Sequence, residues 1–197
     1  DIIGFMKPDV LATINSHFRK SDFIIVDGTP LGLALAMLAR RKAVYITNDI
    51  SALVGMQGII EKRIALSTQN TLLRFAKAVI IPDYPPPMTI TMLNIRSPPK
   101  LEFVGPMVEH TRQVKHGKRF LVSGSLDGDM RSMLGESAVY GSDVGDMRPY
   151  YQDAELVISH GGHTTIMESL SYGKPALCVV EKSYSERRNN ALMLEKL

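Results

Sequence analysis

One cysteine, no tryptophan and no long apolar run set the first limits on this chain. A lone thiol cannot build a disulfide framework or a cysteine-based metal site, and Cys178 sits in the apolar run 176–180, where it reads as a small buried hydrophobe. That usage favours a reducing, cytoplasmic setting. A membrane span needs about 18 consecutive apolar residues, and none is present. One-sided charge is also lacking: 23 Lys and Arg stand against 20 Asp and Glu, for a net charge of +3. With no basic series interleaved with aromatics, nucleic acid is not an expected partner. Nor does any G-x-G-x-x-G open a helix after a strand, which argues against a dinucleotide-binding oxidoreductase.

What is there is a globular composition. The 197 residues are 45% hydrophobic, with a mean hydropathy of 0.00, enough apolar content for one large or two small cores. In chain order, Val10, Leu11, Ile14 and Phe18 share one helical face. A buried strand is expected at Phe23–Val26, a turn at Asp27-Gly28-Thr29-Pro30, an apolar helix at Leu31–Ala39 and a strand at Ala43–Thr47. Ala52–Ala76 reads as helix with an interruption at Ser67-Thr68-Gln69-Asn70, and Ala78–Ile81 as a further strand. Three prolines at Pro85–Pro87 end that segment. Met88–Leu93 alternates apolar and polar residues and reads as an edge strand. Leu101–Val104 is a strand, and the polar, basic stretch His110–Arg119 reads as a linker. Phe120-Leu121-Val122 opens a second βα series, with Ser137–Tyr140 as strand and Asp146–Gln152 as a helical turn.

The most informative stretch is Glu155–Glu181. Leu156-Val157-Ile158 reads as a buried strand, Ser159-His160-Gly161-Gly162-His163 as a turn, Thr164-Thr165 as a helix start, and Ala176–Val180 as the next strand after the breaker Gly173-Lys174-Pro175. A turn so placed lies at the carboxyl edge of a parallel sheet, where open α/β folds bind ligands, and the helix N-terminus offers unpaired N–H groups to an anion. Phosphate is the natural guest. Thr165-x-x-Glu168 is equally a capping box that needs no ligand, as is Ser183-x-x-Glu186 further on.

His160-Gly161-Gly162-His163-Thr164-Thr165-x-x-Glu168-x-x-x-x-Gly173-Lys174-Pro175 resembles the nucleotide-sugar signature of GT-B glycosyltransferases. The similar branch holds the bacterial GlcNAc transferase of peptidoglycan synthesis and the UDP-glucuronosyltransferases. Two further segments carry the likeness: Glu186-Arg187-Arg188-Asn189-Asn190-Ala191, where the family has D-Q-x-x-N-A, and Phe103-Val104-Gly105-Pro106, where it has F-x-G-P.

The resemblance implies an α/β fold of two Rossmann-like parallel-sheet domains facing a cleft. Residues 1–104 are then an acceptor-side domain, 105–119 a hinge and 120–197 the nucleotide-sugar domain. It implies transfer of a sugar from a UDP-sugar to an acceptor hydroxyl, inverting and metal-independent, with no cofactor. The residues it assigns to the donor are Ser123, Gly124, Ser125, His160, Gly161, Gly162, His163, Thr164, Thr165, Glu168, Glu186 and Arg187. Thr164, Thr165 and the glycines go to the phosphates, Glu168 on the first helical turn to the ribose, and Glu186 and Arg187 to the sugar, while Asn190 packs or caps nearby. His163 falls where the family varies and is expected to be exposed. Arg187 stands where the family has Gln.

Three departures lead to the expectation of a partial record. No base-bearing histidine loop precedes Lys7-Pro8-Asp9, so the general base is unassigned. Little helix or strand is expected between Ser125 and Ala138, and the chain stops on a helix. The acceptor stays open among small molecules, glycans and lipid-linked acceptors, the last with peripheral association at the inner membrane face. Two other readings stand beside the transferase: a GT-B-fold nucleotide-sugar epimerase and a non-catalytic donor-binding subunit.

Overall fold

The computed structural model describes residues 7–49, 59–95, 100–109, 117–123 and 126–197. The chain divides into two units, Asp1–Pro85 with Ile95–Gly105 and Pro86–Asn94 with Pro106–Leu197. Thus residues 86–94, read from sequence as part of the N-terminal domain, pack within the second unit.

The first unit begins with α1 (Pro8–Lys20). Proline at its first turn supplies a preset φ, Asp9 lies at its positive end, and His17, Arg19 and Lys20 lie at its negative end. There follow β1 (Ile25–Asp27), α2 (Pro30–Leu38), β2 (Val44–Ile46), α3 (Ile59–Phe75), β3 (Ala78–Ile81) and β4 (Leu101–Phe103). The four strands are all parallel and lie in the order in which the chain makes them. Val26, Tyr45, Val79 and Ile81 turn inward against Leu33, Ala36, Leu72, Leu73 and Ala76, with Phe18 of α1 closing the edge.

Three expectations need correction here. Phe23–Val26 is not buried throughout: Ile24 and Val26 are inside, but Phe23 and Ile25 are each 58% exposed. The polar run Ser67–Asn70 does not interrupt α3, because Ser67, Thr68 and Asn70 are exposed, and polar side chains that face water do not compete for the helix backbone. Residues 52–58 lie outside the described residues. Met88–Leu93 forms no strand. Its polar residues bond one another instead of a neighbouring strand: the Thr89 and Thr91 hydroxyls meet at 2.8 Å, and the Asn94 N–H reaches the Thr91 carbonyl at 2.8 Å. Ile90, between the two threonines, is fully buried beside Ile166 and Met167.

The second unit contains β5 (Arg119–Val122), α4 (Asp127–Leu134), β6 (Ala138–Tyr140), α5 (Arg148–Asp153), β7 (Ala154–Ser159), α6 (His163–Ser171), β8 (Ala176–Cys178) and α7 (Ser185–Leu194). Helix α4 fills the interval expected to hold little structure, and Met130 and Leu134 on it pack against the buried cluster of Val122, Leu126, Tyr140 and Ile158. Leu121 and Val157 belong to a separate cluster with Tyr151 and Tyr172. Adjacent residues of β5 and β7 therefore enter different cores, which is why both strands read as continuous apolar runs.

Sheet order in this unit is β6-β5-β7-β8, all parallel. The chain steps outward from β5 to β6 and then crosses back over β5 to lay down β7. The β5–β7 boundary is thus a topological switch point, and its carboxyl edge is the expected ligand crevice.

Leu73 is 1% exposed in the first core. Its replacement by alanine should remove about 2–5 kcal/mol from the unfolding free energy of that unit, measured by urea denaturation followed by far-UV circular dichroism.

Candidate functional site

Two turns leave the switch point. One follows β5, where the Ser123 N–H donates to the Ile158 carbonyl at 2.9 Å, so the last residues of β5 and β7 are tied together. Gly124 and Ser125 lie outside the described residues. The other turn follows β7 through Ser159, His160, Gly161 and Gly162 into α6.

Gly161 is where this second turn becomes specific. It adopts φ +79°, a conformation that side chains disfavour. A β-carbon there would lie 2.9 Å from the Arg187 carbonyl oxygen and 3.0 Å from Val180 Cγ1. The Gly161 N–H donates to Ser159 Oγ at 3.2 Å, and its carbonyl accepts from Asn190 Nδ2 at 3.1 Å. Gly162 is the N-cap of α6 in extended conformation, with no side chain capping the helix. A β-carbon at Gly162 would meet nothing within 4 Å.

Because Gly162 caps the helix, the expected capping box at Thr165 does not form: Thr165 is already inside the helix. The first intrahelical bond runs from the Ile166 N–H to the Gly162 carbonyl at 3.1 Å. The N–H groups of His163, Thr164 and Thr165 consequently have no acceptor within the helix. Thr164 is exposed and Thr165 half-buried. His163, expected to be exposed, is 7% exposed. As the first helical residue it points back into the unit, which its place in a variable family position did not foretell.

Glu168 lies in the second turn of α6, not the first. Its Oε2 accepts from the Tyr151 hydroxyl at 2.8 Å. Burial first, and the Glu168 carboxylate second, push the Tyr151 phenol well above its ordinary range, with the Thr165 hydroxyl acting the other way. The phenol is therefore a fixed donor. Tyr151 itself stacks on Tyr172, ring centroids 5.4 Å apart. Behind α6, buried Lys174 donates from Nζ to the Gln152 carbonyl at 2.8 Å, and loss of water around it lowers its pKa. This lysine fastens the turn after α6 to the end of α5.

Glu186 and Arg187 occupy the first turn of α7, whose N-cap is Tyr184 with no side-chain cap, so the Ser183 capping box is absent as well. The Arg187 guanidinium lies 4.5 Å from the centroid of the Tyr184 ring. Asn190 is fully buried, and its amide joins α7 to the Gly161 carbonyl. His160 through Thr165, Glu168, Ser123, Glu186 and Arg187 are thereby gathered around one sheet edge of a single unit. Cys178, half-buried, is raised in pKa chiefly by burial, in keeping with a packing role.

Sequence reasoning missed Tyr151, Lys174 and Asn94. A Tyr150-Tyr151 pair before an apolar strand carried a weak signal, and Asn94 carried none. It also took the chain to hold no Asp-x-Asp triplet, in agreement with metal independence, and that is wrong: Asp127-Gly128-Asp129 is one, in the first turn of α4. Among the described residues no helix is long and apolar enough to cross a membrane.

Residues 127–197 match the model of the glycosyltransferase family 28 C-terminal domain. An uncharacterized glycosyltransferase of Methanosarcina mazei is 29% identical over 238 residues, covering 96% of this chain and 61% of its own length. Another from Methanosarcina acetivorans is 26% identical over 222 residues, covering 90% and 59%. Among solved structures, LpCGTa in complex with UDP superposes with a TM-score of 0.64 at 12% identity, over 95% of this chain and 64% of its own. Acinetobacter baumannii MurG superposes with a TM-score of 0.55 at 13% identity, over 95% and 62%. The chain thus spans about three-fifths of the length of these relatives.

The two glycines should respond differently to a methyl group. Gly161→Ala is expected to destabilise the second unit by about 1–3 kcal/mol, since it combines a left-handed backbone with contact against the Arg187 carbonyl. Gly162→Ala, with open space around it, should stay within about 0.5 kcal/mol in stability by thermal denaturation.

Proposed function

We infer that this chain, which has the GT-B glycosyltransferase fold, transfers a sugar from a UDP-sugar donor to an acceptor hydroxyl. The observation that carries this reading is the N-terminus of α6, placed at the switch point of the second sheet with the Thr164 and Thr165 N–H groups outside its own ladder. LpCGTa, a structural neighbour solved in complex with UDP, supports the choice of nucleotide.

In this reading the donor diphosphate lies against α6. As the bond to the sugar breaks, negative charge grows on the leaving phosphate. The Thr164 and Thr165 N–H groups and the helix dipole oppose that charge without having to reorganise. The Thr164 and Thr165 hydroxyls add donors. Glu168, held at Oε2 by Tyr151, keeps Oε1 for the ribose hydroxyls. Glu186 and Arg187 face the sugar from the first turn of α7, and Ser123 with Gly124 and Ser125 borders the diphosphate from the other strand. Attack by the acceptor hydroxyl from the opposite side inverts the anomeric centre, assisted by a general base that is not assigned. The acceptor is a small molecule, a glycan or a lipid-linked molecule met at the inner face of a membrane, and the enzyme works in the cytoplasm.

The charge-stabilising role given to α6 makes transfer metal-independent, and Asp127-Gly128-Asp129 is the feature that would carry the opposite reading. Calorimetry against UDP-Glc, UDP-GlcNAc, UDP-Gal and UDP-GlcA tests both points. One donor should bind, with the same affinity in EDTA as in Mn²⁺. Thr165→Ala should weaken it by about 1–3 kcal/mol through loss of a charge-assisted hydrogen bond. Tyr151→Phe, which frees the Glu168 carboxylate to turn, should cost about 0.5–1.5 kcal/mol in the same measurement. Equal affinity in wild type and Thr165→Ala would place the diphosphate elsewhere, and binding abolished by EDTA would give the charge to a metal.

A further inference from the structure

We propose that Asn94, far from the donor signature in sequence, is a positioning residue for the tandem-glycine turn. It does so by fixing which end of the Asn190 amide faces Gly161. The role of that turn in donor binding rests on the reading above; the polarity relay itself does not.

Asn94 and Asn190 are both fully buried. Asn189 Nδ2 donates to Asn94 Oδ1 at 2.9 Å, Asn94 Nδ2 donates to Asn190 Oδ1 at 2.7 Å, and Asn190 Nδ2 donates to the Gly161 carbonyl at 3.1 Å. A primary amide has a donor end and an acceptor end of nearly the same shape, so packing alone cannot orient it. Hydrogen-bond partners decide. The Glu186 carbonyl, 3.5 Å from Asn94 Nδ2, can only accept, which sets the donor end of Asn94 toward it and Asn190 and leaves the acceptor end for the Asn189 amide. That in turn leaves the Asn190 donor end for Gly161. The chain of polarity has one consistent direction, and its last member is the carbonyl of the residue at φ +79°.

Asn94 also sits 3.5 Å, through Nδ2, from the Glu186 carbonyl in the first turn of α7. It therefore lies between that turn and the Gly161 turn, the two segments that the donor reading brings to one nucleotide. The Thr89–Thr91 turn, with its own hydroxyl contact, holds Asn94 in place from the chain side.

The substitution Asn94→Asp keeps the shape but reverses the polarity. The new carboxylate still accepts from Asn189, yet it confronts Asn190 Oδ1 with a second acceptor. The Asn190 amide then turns over and presents oxygen to the Gly161 carbonyl. Protonation of the introduced carboxylate restores a donor and with it the native direction. The substitution Asn94→Leu supplies no donor at any pH. The titratable or charged residues beside the network along the chain are Glu186, Arg187 and Arg188 on α7, His160 in the turn and His163 at the start of α6, so each variant is compared with wild type at the same pH.

The experiment measures UDP affinity by calorimetry, and amide hydrogen exchange across residues 159–165 without nucleotide, for the full chain carrying Asn94→Asp or Asn94→Leu. At pH 8 both variants should bind UDP about tenfold or more weakly and exchange faster in that segment, from a buried carbonyl left unpaired. At pH 5.5 the Asn94→Asp variant should recover toward wild type in both readouts, and the Asn94→Leu variant should not. Equal losses for Asn94→Asp at the two pH values, or no change in exchange for either variant, would overturn the proposal. If wild type binds no UDP, the donor reading fails by itself, and the exchange arm still decides whether Asn94 holds the turn.

Discussion

The contact between the buried Asn190 amide and the Gly161 carbonyl governs how the second unit can be built. A turn that leaves β7 and enters α6 within four residues must direct one peptide carbonyl into the protein, and a buried carbonyl without a donor is costly. Asn190 supplies the donor from α7, and its backbone neighbour Arg187 closes over the Gly161 α-carbon. The same approach that satisfies the carbonyl leaves no room for a side chain. Glycine at 161 and asparagine at 190 are therefore two consequences of one packing event, though 29 residues separate them.

Sheet order places this event at the topological switch point of the second sheet. In the first unit the strands run β1-β2-β3-β4 without reversal, so no gap opens between adjacent connections. In the second, the return across β5 sends the connections after β5 and β7 apart, the position at which open α/β sheets bind ligands. Apolar burial holds that geometry. Leu121 and Val157 sit with Tyr151 and Tyr172 in one core, and Val122 and Ile158 with Leu126 and Tyr140 in another. Neither cluster contains a residue assigned to the donor. Packing fixes the strands, and the polar turns at their ends remain available for a ligand.

How much of this was legible in the sequence depended on the range of the interaction. Strands at Ala78–Ile81 and Leu156–Ile158 announced themselves because a strand buried on its inner face needs apolar residues whatever lies beyond it. The α6 turn was legible for a similar reason: two glycines after an apolar run are a local requirement. Helix α4 was missed because its eight residues include Gly128 and two aspartates, and its stability comes from Met130 and Leu134 meeting a core formed elsewhere in the chain. Met88–Leu93 was misread because alternation describes a strand and an inward-facing polar turn equally well. Capping boxes at Thr165 and Ser183 failed since a spacing of three records a possibility, while Gly162 and Tyr184 hold the cap positions. Asn94 and Tyr151 act on partners 17 to 96 residues away, and single-residue chemistry does not announce a partner that distant.

Polarity along α6 gives the proposed donor site a direction. The N-terminal turn, with N–H groups outside the helical ladder, is electropositive, whereas Glu168, five residues beyond His163, hangs its carboxylate from a backbone position about 7.5 Å further along the axis. Tyr151 reinforces the carboxylate end. Burial and the carboxylate itself keep the phenol protonated, so it donates and cannot become a competing anion. One carboxylate oxygen is thereby fixed and the other keeps its accepting capacity. A nucleoside diphosphate has the complementary arrangement, anionic at the phosphates and hydroxyl-donating at the ribose. In the reversed orientation, phosphate would meet carboxylate and hydroxyl donors would meet N–H donors. With a donor bound as proposed, the helix would discriminate between the two directions by repulsion as well as attraction, and would bring the sugar-bearing phosphate toward the first turn of α7.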